Sequence, residues 1–295
     1  MNTRQGIRRG LTAAMLVLVG SALGQTGPAV YTTTATGGDW DAITWTSNPS
    51  LPGTIPGNHP MDVVSMLDKA GPWYLNGSRV VGAIGTVNNS ANWVMNQTNP
   101  GDTLTLNSPH NGTRGSLQSP ALFKNNQKIT INAPIIFGTN VTIYVHDANG
   151  SADTTRGWSD AGKGFSVTKT GVGTILYQDS ASIGAAPLFG ALNITSGTVQ
   201  WKPNLTNTPF ALASFGSGPM TLNGGLFSLN LNNSVGGTVS YASQPIVVGP
   251  VGGGFVMEGN TAGHTLAINN FNVGLGGPLL LGCNNSAQPG STAYN

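Results

Sequence analysis

The strongest constraint on the fold is a short unit that recurs along the chain. Each copy has two aliphatic residues separated by one small or polar residue, followed by an asparagine: Thr103–Asn107, Lys128–Asn132, Pro219–Asn223 and Thr265–Asn269. Recurrence at roughly 20–50 residues is typical of repeat proteins, in which one unit buries its apolar face only by stacking on the next. A repeated asparagine suits a ladder of side-chain amides. This pattern predicts a solenoid of parallel strands, a β-helix.

The stretch from Gly164 to Asn230 shows the same construction most clearly. Short alternating runs of β-branched or aliphatic residues are broken there by single glycines or glycine pairs. Alternation over a few residues is typical of strands with one buried face, and glycine permits tight corners between them. The alternative fold at this point is an antiparallel sandwich, which also uses many short strands and glycine-rich turns.

One part of this stretch also resembles a known family. The run Val167–Leu176, followed after an insertion by Leu192–Val199, is similar to the autotransporter-associated β-strand repeat, whose unit runs Lys-Thr-Gly-x-Gly-Thr-Leu-x-Leu. The run Phe215–Phe227 is similar to the linker that often follows that unit. The resemblance is close over Lys169–Leu229, about a fifth of the chain, and the chain departs from the family pattern at Asp179–Gly190. It implies a right-handed parallel β-helix on an exported bacterial surface protein.

The first 24 residues have the features of a secretory signal peptide. Three arginines precede an apolar run from Leu11 to Leu23, and the small residues Ala22 and Gly24 predict cleavage before Gln25. The apolar run is shorter than the roughly 20 residues that span a bilayer, so a retained anchor is the lesser alternative. We therefore expect an exported protein, extracellular or at the cell surface in association with the outer membrane, with no membrane span after signal removal.

Three regions follow from this organisation. Residues 1–24 are the predicted signal peptide, residues 25–60 an N-terminal cap region, and residues 61–295 the β-helix repeats. The chain stops in a Gly-, Asn- and Pro-rich stretch, Ala287–Asn295, directly after a repeat. Because a solenoid needs a cap at each end, we expect the chain to be an N-terminal part of a longer protein.

Composition narrows the function classes. Charged residues make up 7% of the chain, against about 25% in typical soluble domains, and hydrophobic residues make up 39%, so the chain should fold. Loss of the three leader arginines leaves nine basic residues against ten acidic ones, and no cluster of Lys or Arg suggests nucleic-acid binding. The single cysteine, Cys283, permits no intrachain disulfide, so stability must come from repetitive packing.

The cap region contains a pair of tryptophans. Trp40 and Trp45 lie beside Asp39 and Asp41 and are followed by several prolines. Aromatic faces and carboxylates suit carbohydrate, so both tryptophans are candidate ligand-binding residues. The competing interpretation, which we favour, is that bulky residues seal the open end of the first coil.

The stretch from His146 to Gly164 gathers charged residues that the repeats exclude. It holds three of the ten acidic residues, Asp147, Asp153 and Asp160, together with Trp158, a third candidate for sugar binding. β-Helix lyases use carboxylate clusters for Ca²⁺, and hydrolases of that fold use paired or tripled aspartates. The three carboxylates lack the regular alternation of a calcium loop. We therefore interpret the stretch as one long insertion loop, with Ca²⁺ binding and catalysis as the lesser alternatives.

Three functions from different classes remain open. The favoured one is an exported β-helix stalk or adhesin-like structural protein with no catalytic site and no cofactor, whose partners are cell-surface or extracellular glycans. The second is a carbohydrate-active enzyme on the same fold, either a polysaccharide lyase or a glycoside hydrolase. The third is a glycan-binding module that uses Trp40, Trp45 and Trp158.

Overall fold

The chain folds as a solenoid of short parallel strands. The computed structural model describes residues 27–51, 54–66, 71–86, 92–108, 120–124, 128–178, 187, 189–203, 210–212, 215–231, 237–241, 244–259, 264–268, 271–273 and 277–285. These residues form strands and turns and contain no helix. The predicted β-helix is therefore confirmed, and the antiparallel sandwich is not the fold. The predicted signal peptide and residues 286–295 lie outside the described residues.

Two long β-sheets and two shorter ones form the sides of the solenoid. Sheet A comprises β1 (Val30–Thr33), β3 (Thr46–Asn48), β4 (Val63–Met66), β7 (Ala83–Gly85), β10 (Leu122–Lys124), β13 (Val141–Val145), β16 (Val167–Thr170), β18 (Leu192–Ile194), β21 (Met220–Leu222), β24 (Ile246–Val248) and β27 (Phe271–Val273). Sheet B comprises β2 (Gly38–Asp39), β5 (Trp73–Leu75), β8 (Trp93–Gln97), β11 (Lys128–Asn132), β14 (Ser151–Thr154), β17 (Thr174–Tyr177), β19 (Thr198–Trp201), β22 (Leu226–Asn230), β25 (Gly253–Gly259) and β28 (Leu279–Asn285).

The third side of the solenoid is formed by sheet C in the earlier coils and by sheet D in the later ones. Sheet C comprises β6 (Arg79–Val81), β9 (Leu104–Leu106), β12 (Ile135–Phe137) and β15 (Trp158–Ser159). Sheet D comprises β20 (Phe210–Leu212), β23 (Gly237–Tyr241) and β26 (His264–Ile268). Each coil of the chain therefore contributes one strand to sheet A, then one to sheet B, and in most coils one to sheet C or D.

Successive coils lie in parallel register. In sheet A, Val141 pairs with Val167, which in turn pairs with Leu192 on the following coil. The antiparallel pair β1–β3, at the N-terminal end of sheet A, is the exception among the described strand pairs. Most inward residues are apolar and most outward residues polar, as in β11, where Ile129 and Ile131 are buried. A single strand of three to five residues cannot bury its apolar side, so stacking of coils supplies the core.

The recurring asparagine unit does not mark one fixed position in the coil. Its four copies contain β9, β11, β21 and β26, which belong to sheets C, B, A and D respectively. The expected ladder between the asparagines of these copies is therefore wrong. Any short strand with two inward aliphatic residues and a polar residue at the following corner produces the same pattern. Asn132 does join an amide ladder, but its partner is Asn96, whose side-chain oxygen it contacts at 2.8 Å.

The predicted insertion loop near residues 146–164 is also wrong. The stretch contains β14 and β15, which pair in parallel with strands of the neighbouring coils. The polarity of the stretch predicts a solvated loop, but Asp153 and Asp160 are buried and have protein partners. The charged residues of this stretch therefore sit on a regular coil of the solenoid.

Aromatic rings pack along the core. Ring centroids lie 5.2–6.2 Å apart in contacts that connect Phe137, Trp158, Tyr177, Phe189, Trp201, Phe215, Phe227 and Phe255. Most of these pairs meet edge to face, the arrangement that ring quadrupoles favour. The aromatic stack joins consecutive coils through side chains, in addition to the backbone hydrogen bonds of the sheets.

A buried carboxylate fastens the N-terminal coils together. Asp62 is fully buried, and its two oxygens accept hydrogen bonds from the backbone nitrogens of Ala29, Gly57 and His59, at 3.0, 3.0 and 3.2 Å. Three N–H donors compensate the loss of hydration of one carboxylate. The segment before β4 is thereby held against β1 and the start of the solenoid.

Candidate functional site

The structure places two of the three candidate tryptophans inside the solenoid. Trp40 is 1% exposed and donates from Nε1 to the carbonyl oxygen of Pro56 at 3.0 Å, and Trp158 is 2% exposed within the aromatic stack. Trp45 is partly buried against Trp40 and donates from Nε1 to the Trp40 carbonyl oxygen at 2.9 Å. Because Trp40 and Trp158 expose almost no ring surface, a sugar cannot stack on either one.

The three candidate carboxylates have separate partners. Asp153 forms an ion pair with Lys128 on the outer face of sheet B. Asp160 accepts hydrogen bonds from the backbone nitrogens of Gly162 and Phe165 at 2.9 and 2.7 Å, which fixes the corner after β15. Asp147 lies 3.6 Å from Nε2 of His146. Among the described residues, no group of three His, Cys, Asp or Glu side chains is placed to hold a metal ion.

An accessible row of polar side chains crosses the outer face of sheet B. Tyr74 on β5 pairs in register with Asn96 on β8, which pairs with Asn132 on β11. Thr155 and Gln178, which directly follow β14 and β17, continue the row through backbone bonds to Ile131 and Thr154. We call Tyr74, Asn96, Asn132, Thr155 and Gln178 the amide strip.

Hydrogen bonds hold three side chains of the amide strip. Asn132 donates from Nδ2 to Oδ1 of Asn96 at 2.8 Å, and Thr155 donates from Oγ1 to Oδ1 of Asn132 at 2.6 Å. In these two bonds Asn132 uses one of its two N–H groups and one lone pair, so part of its hydrogen-bonding capacity is left over. Tyr74, at the N-terminal end, is 37% exposed. The strip is thus an uncharged surface with three linked side chains and one accessible aromatic ring.

A second polar cluster surrounds the only glutamate of the chain, further along the same face. The Glu258 carboxylate accepts hydrogen bonds from Gln200 at 2.8 Å, from Ser228 and, at the long distance of 3.5 Å, from Asn230. These donors lie on β19 and β22, so one carboxylate links three neighbouring strands. No local sequence pattern predicts this cluster, because the partners of Glu258 lie 28, 30 and 58 residues away.

A buried lysine holds the corner between sheets A and B. Lys169 is 0% exposed, and its Nζ donates to the carbonyl oxygens of Thr170, Gly171 and Ser196 at 2.8, 2.5 and 3.2 Å. Burial lowers the pKa of the Lys169 ammonium to about 7, because the charged form loses its hydration. Lysine is normally placed on the surface, so its inward position could be found in the sequence only through its alternation with Val167.

The carboxylates of Asp153 and Glu258, both on sheet B, each have partners within the protein. Carboxylate pairs in glycosidases lie about 5–9.5 Å apart and face one substrate. Here Glu258 engages amide and hydroxyl donors, while Asp153 engages a lysine. Amide and hydroxyl side chains both donate and accept hydrogen bonds, so the amide strip presents groups of both kinds along the stack.

The comparisons with known proteins yield no relative. The chain matches no protein-family model, no curated protein and no solved structure. The similarity to the autotransporter-associated β-strand repeat therefore remains an interpretation of residues 167–229. Helices long and apolar enough to cross a membrane are absent from the part of the chain that the structure describes.

Proposed function

We propose that the protein is an exported β-solenoid stalk with adhesin-like contacts to extracellular or cell-surface glycans, and that it has no catalytic site. The continuous stack of parallel strands in sheets A and B carries this proposal. Nine steps of about 4.8 Å separate β1 from β27, so the described stack is roughly 43 Å long. Inter-coil hydrogen bonds and the aromatic core make such a stack stiff, which suits a spacer.

The leader sequence supports export. A basic start followed by a short apolar run is the pattern that secretion machinery recognises. Low charge and a single cysteine agree with a protein stabilised by repetitive packing outside the cell. The similarity of residues 167–229 to repeats of exported surface proteins points the same way.

Export is tested by expressing the full chain in a Gram-negative host with a C-terminal tag and fractionating the cells. We expect tagged protein outside the cytoplasm, with an N-terminal sequence that begins at Gln25. Retention of the complete leader in the cytoplasmic fraction would remove the basis for a surface stalk. Replacing Leu16 and Leu18 by arginine is the matched control, because it destroys the apolar run and should block export.

A carbohydrate-active enzyme is the alternative, and the three-strand network around Glu258 is the observation that favours it. The test incubates the purified secreted protein with polygalacturonate, alginate, xylan and mixed-linkage β-glucan, with and without Ca²⁺. New reducing ends and unsaturated products are then measured. We expect no product above the background without protein. Turnover that disappears in Glu258→Gln or in Asp153→Asn would establish an enzyme and refute the stalk proposal.

A further inference from the structure

The amide strip on sheet B is a surface whose chemistry none of the preceding roles uses. Its five side chains lie on five successive coils at one register position, each about 4.8 Å from the next. A ligand that makes equivalent contacts with all of them must itself be linear and repetitive. It must also lie across the strands, parallel to the axis of the solenoid.

The charge of this surface restricts the ligand. The strip itself contains no carboxylate or amine. Of the charges beside it, Lys128 and Asp153 form an ion pair, and Lys202, which follows β19 at the next register position beyond Gln178, is a single amine. A polyanion such as nucleic acid or an acidic polysaccharide gains from clustered Lys and Arg, which the strip lacks. Amides and hydroxyls both donate and accept hydrogen bonds, which matches the hydroxyl groups of a neutral sugar.

The aromatic ring of Tyr74 adds a second kind of contact. It is exposed at the end of the strip, and rings of this type present an apolar face together with a polar tip. The C–H face of a pyranose ring can pack on that apolar face, while the adjacent hydroxyl groups reach the amide of Asn96. Tyr74 is therefore the part of the strip that provides stacking.

Preorganisation favours binding by this surface. The bonds Thr155 to Asn132 and Asn132 to Asn96 already hold three side chains in one orientation. Little rotamer freedom is then lost when a ligand binds, which lowers the entropic cost of association. The spacing of the strands is close to the length of one sugar unit, so successive units can meet successive side chains.

We propose that the amide strip binds a neutral polysaccharide chain laid along the solenoid, with Tyr74 as its stacking residue. This inference rests on the proposed adhesin-like function and names its ligand class and its site. It places the site away from Trp40 and Trp158, which are buried.

The test is affinity electrophoresis of the secreted full chain in gels that contain xyloglucan, mixed-linkage β-glucan, galactomannan, polygalacturonate or alginate. We expect retardation by at least one neutral polymer and weaker retardation by the acidic ones. Tyr74→Ala should weaken that binding about tenfold, whereas Tyr74→Phe, which keeps the ring, should change it by about twofold or less. Gln178→Ala is the second strip variant and should weaken binding severalfold.

Tyr144→Ala is the matched control, because Tyr144 is a tyrosine on the outer face of sheet A, where its ring stacks on His146. It should leave binding unchanged. Failure of all three neutral polymers to bind, preference for an acidic polymer, or full binding by both Tyr74→Ala and Gln178→Ala would each overturn the proposal. These results would not contradict the stalk proposal. Polymer cleavage would contradict the stalk proposal but not polysaccharide binding by the amide strip.

Discussion

The ammonium nitrogen of Lys169 donates to the carbonyl oxygen of Ser196, 3.2 Å away on the next coil. The same nitrogen also bonds the carbonyl oxygens of Thr170 and Gly171, so one side chain joins two corners of the solenoid. In its protonated form a lysine Nζ has three donors, which matches the three carbonyl oxygens. Lys169 is thus part of the core and not of the surface.

Replacing Lys169 by methionine should destabilise the protein. Methionine fills a similar volume, but three buried carbonyl oxygens lose their donor, and the removal of the buried charge offsets only part of that loss. We expect the free energy of unfolding to fall by about 2 kcal/mol, measured by denaturant titration at pH 7. Lys163→Met is the control, because Lys163 is exposed, and its effect should stay below about 0.5 kcal/mol. An equal effect of the two substitutions would contradict this role.

Lys169 should also give stability a characteristic pH dependence. Its pKa is lowered by burial to about 7 in the folded protein, whereas an unfolded lysine titrates near 10.5. Between these values the unfolded chain binds the extra proton and the folded chain does not, so the free energy of unfolding rises with pH. Thermal unfolding followed at pH 7 and pH 9.5 should show this rise in the wild type and not in Lys169→Met. A flat or falling profile in the wild type would show that the three carbonyl oxygens keep the ammonium protonated.

Substitution of Gly197 tests how closely the coils pack at the corner that Lys169 holds. Its φ is +68°, and an added Cβ would meet the carbonyl oxygens of Gly171 and Gly173 as well as Nζ of Lys169. Gly162 has a similar φ of +76° but open space around it. We expect Gly162→Ala to cost about 1–2 kcal/mol from backbone strain alone, and Gly197→Ala about 2 kcal/mol more. Equal losses, measured by denaturant titration, would mean that the coils do not approach closely at this corner.

Asp62 should be essential for the N-terminal coils. Asp62→Asn replaces one acceptor oxygen by a donor that faces backbone N–H groups, so at least one of the bonds from Ala29, Gly57 and His59 must be lost. We expect a loss of about 2–3 kcal/mol in the free energy of unfolding. Asp41→Asn is the comparison, because Asp41 is exposed in its ion pair with Arg79 and should contribute little. Similar stability of the two variants would show that the buried carboxylate of Asp62 does not stabilise the N-terminal coils.

Substitution of Trp158 distinguishes a role in the core from a role in ligand binding. Trp158→Ala removes a ring that contacts Phe137, Tyr177, Phe189 and Phe215, and should cost about 3–5 kcal/mol. Thermal unfolding monitored by near-UV circular dichroism gives the measurement. A variant of unchanged stability that loses glycan binding would restore the sugar-binding interpretation of this residue.

Much of the architecture could be predicted from residues alone because it depends on local alternation. Runs such as Lys128–Asn132 and Met220–Leu222 show apolar residues at every second position, and glycines mark the corners between runs. Neither pattern indicates to which of the four sheets a strand belongs. The asparagine units therefore look equivalent in the sequence, although they lie on four different sheets.

The polar sites depend on contacts between residues distant along the chain. Glu258 meets donors up to 58 residues away, and the row from Tyr74 to Gln178 exists only because five coils lie in register. Polarity indicates exposure on average, yet Lys169 and Asp153 are buried because neighbouring coils supply carbonyl oxygens or a lysine. Composition and alternation were sufficient to predict a stacked β-helix. The stacking itself determines which polar groups face each other, since their partners come from separate coils.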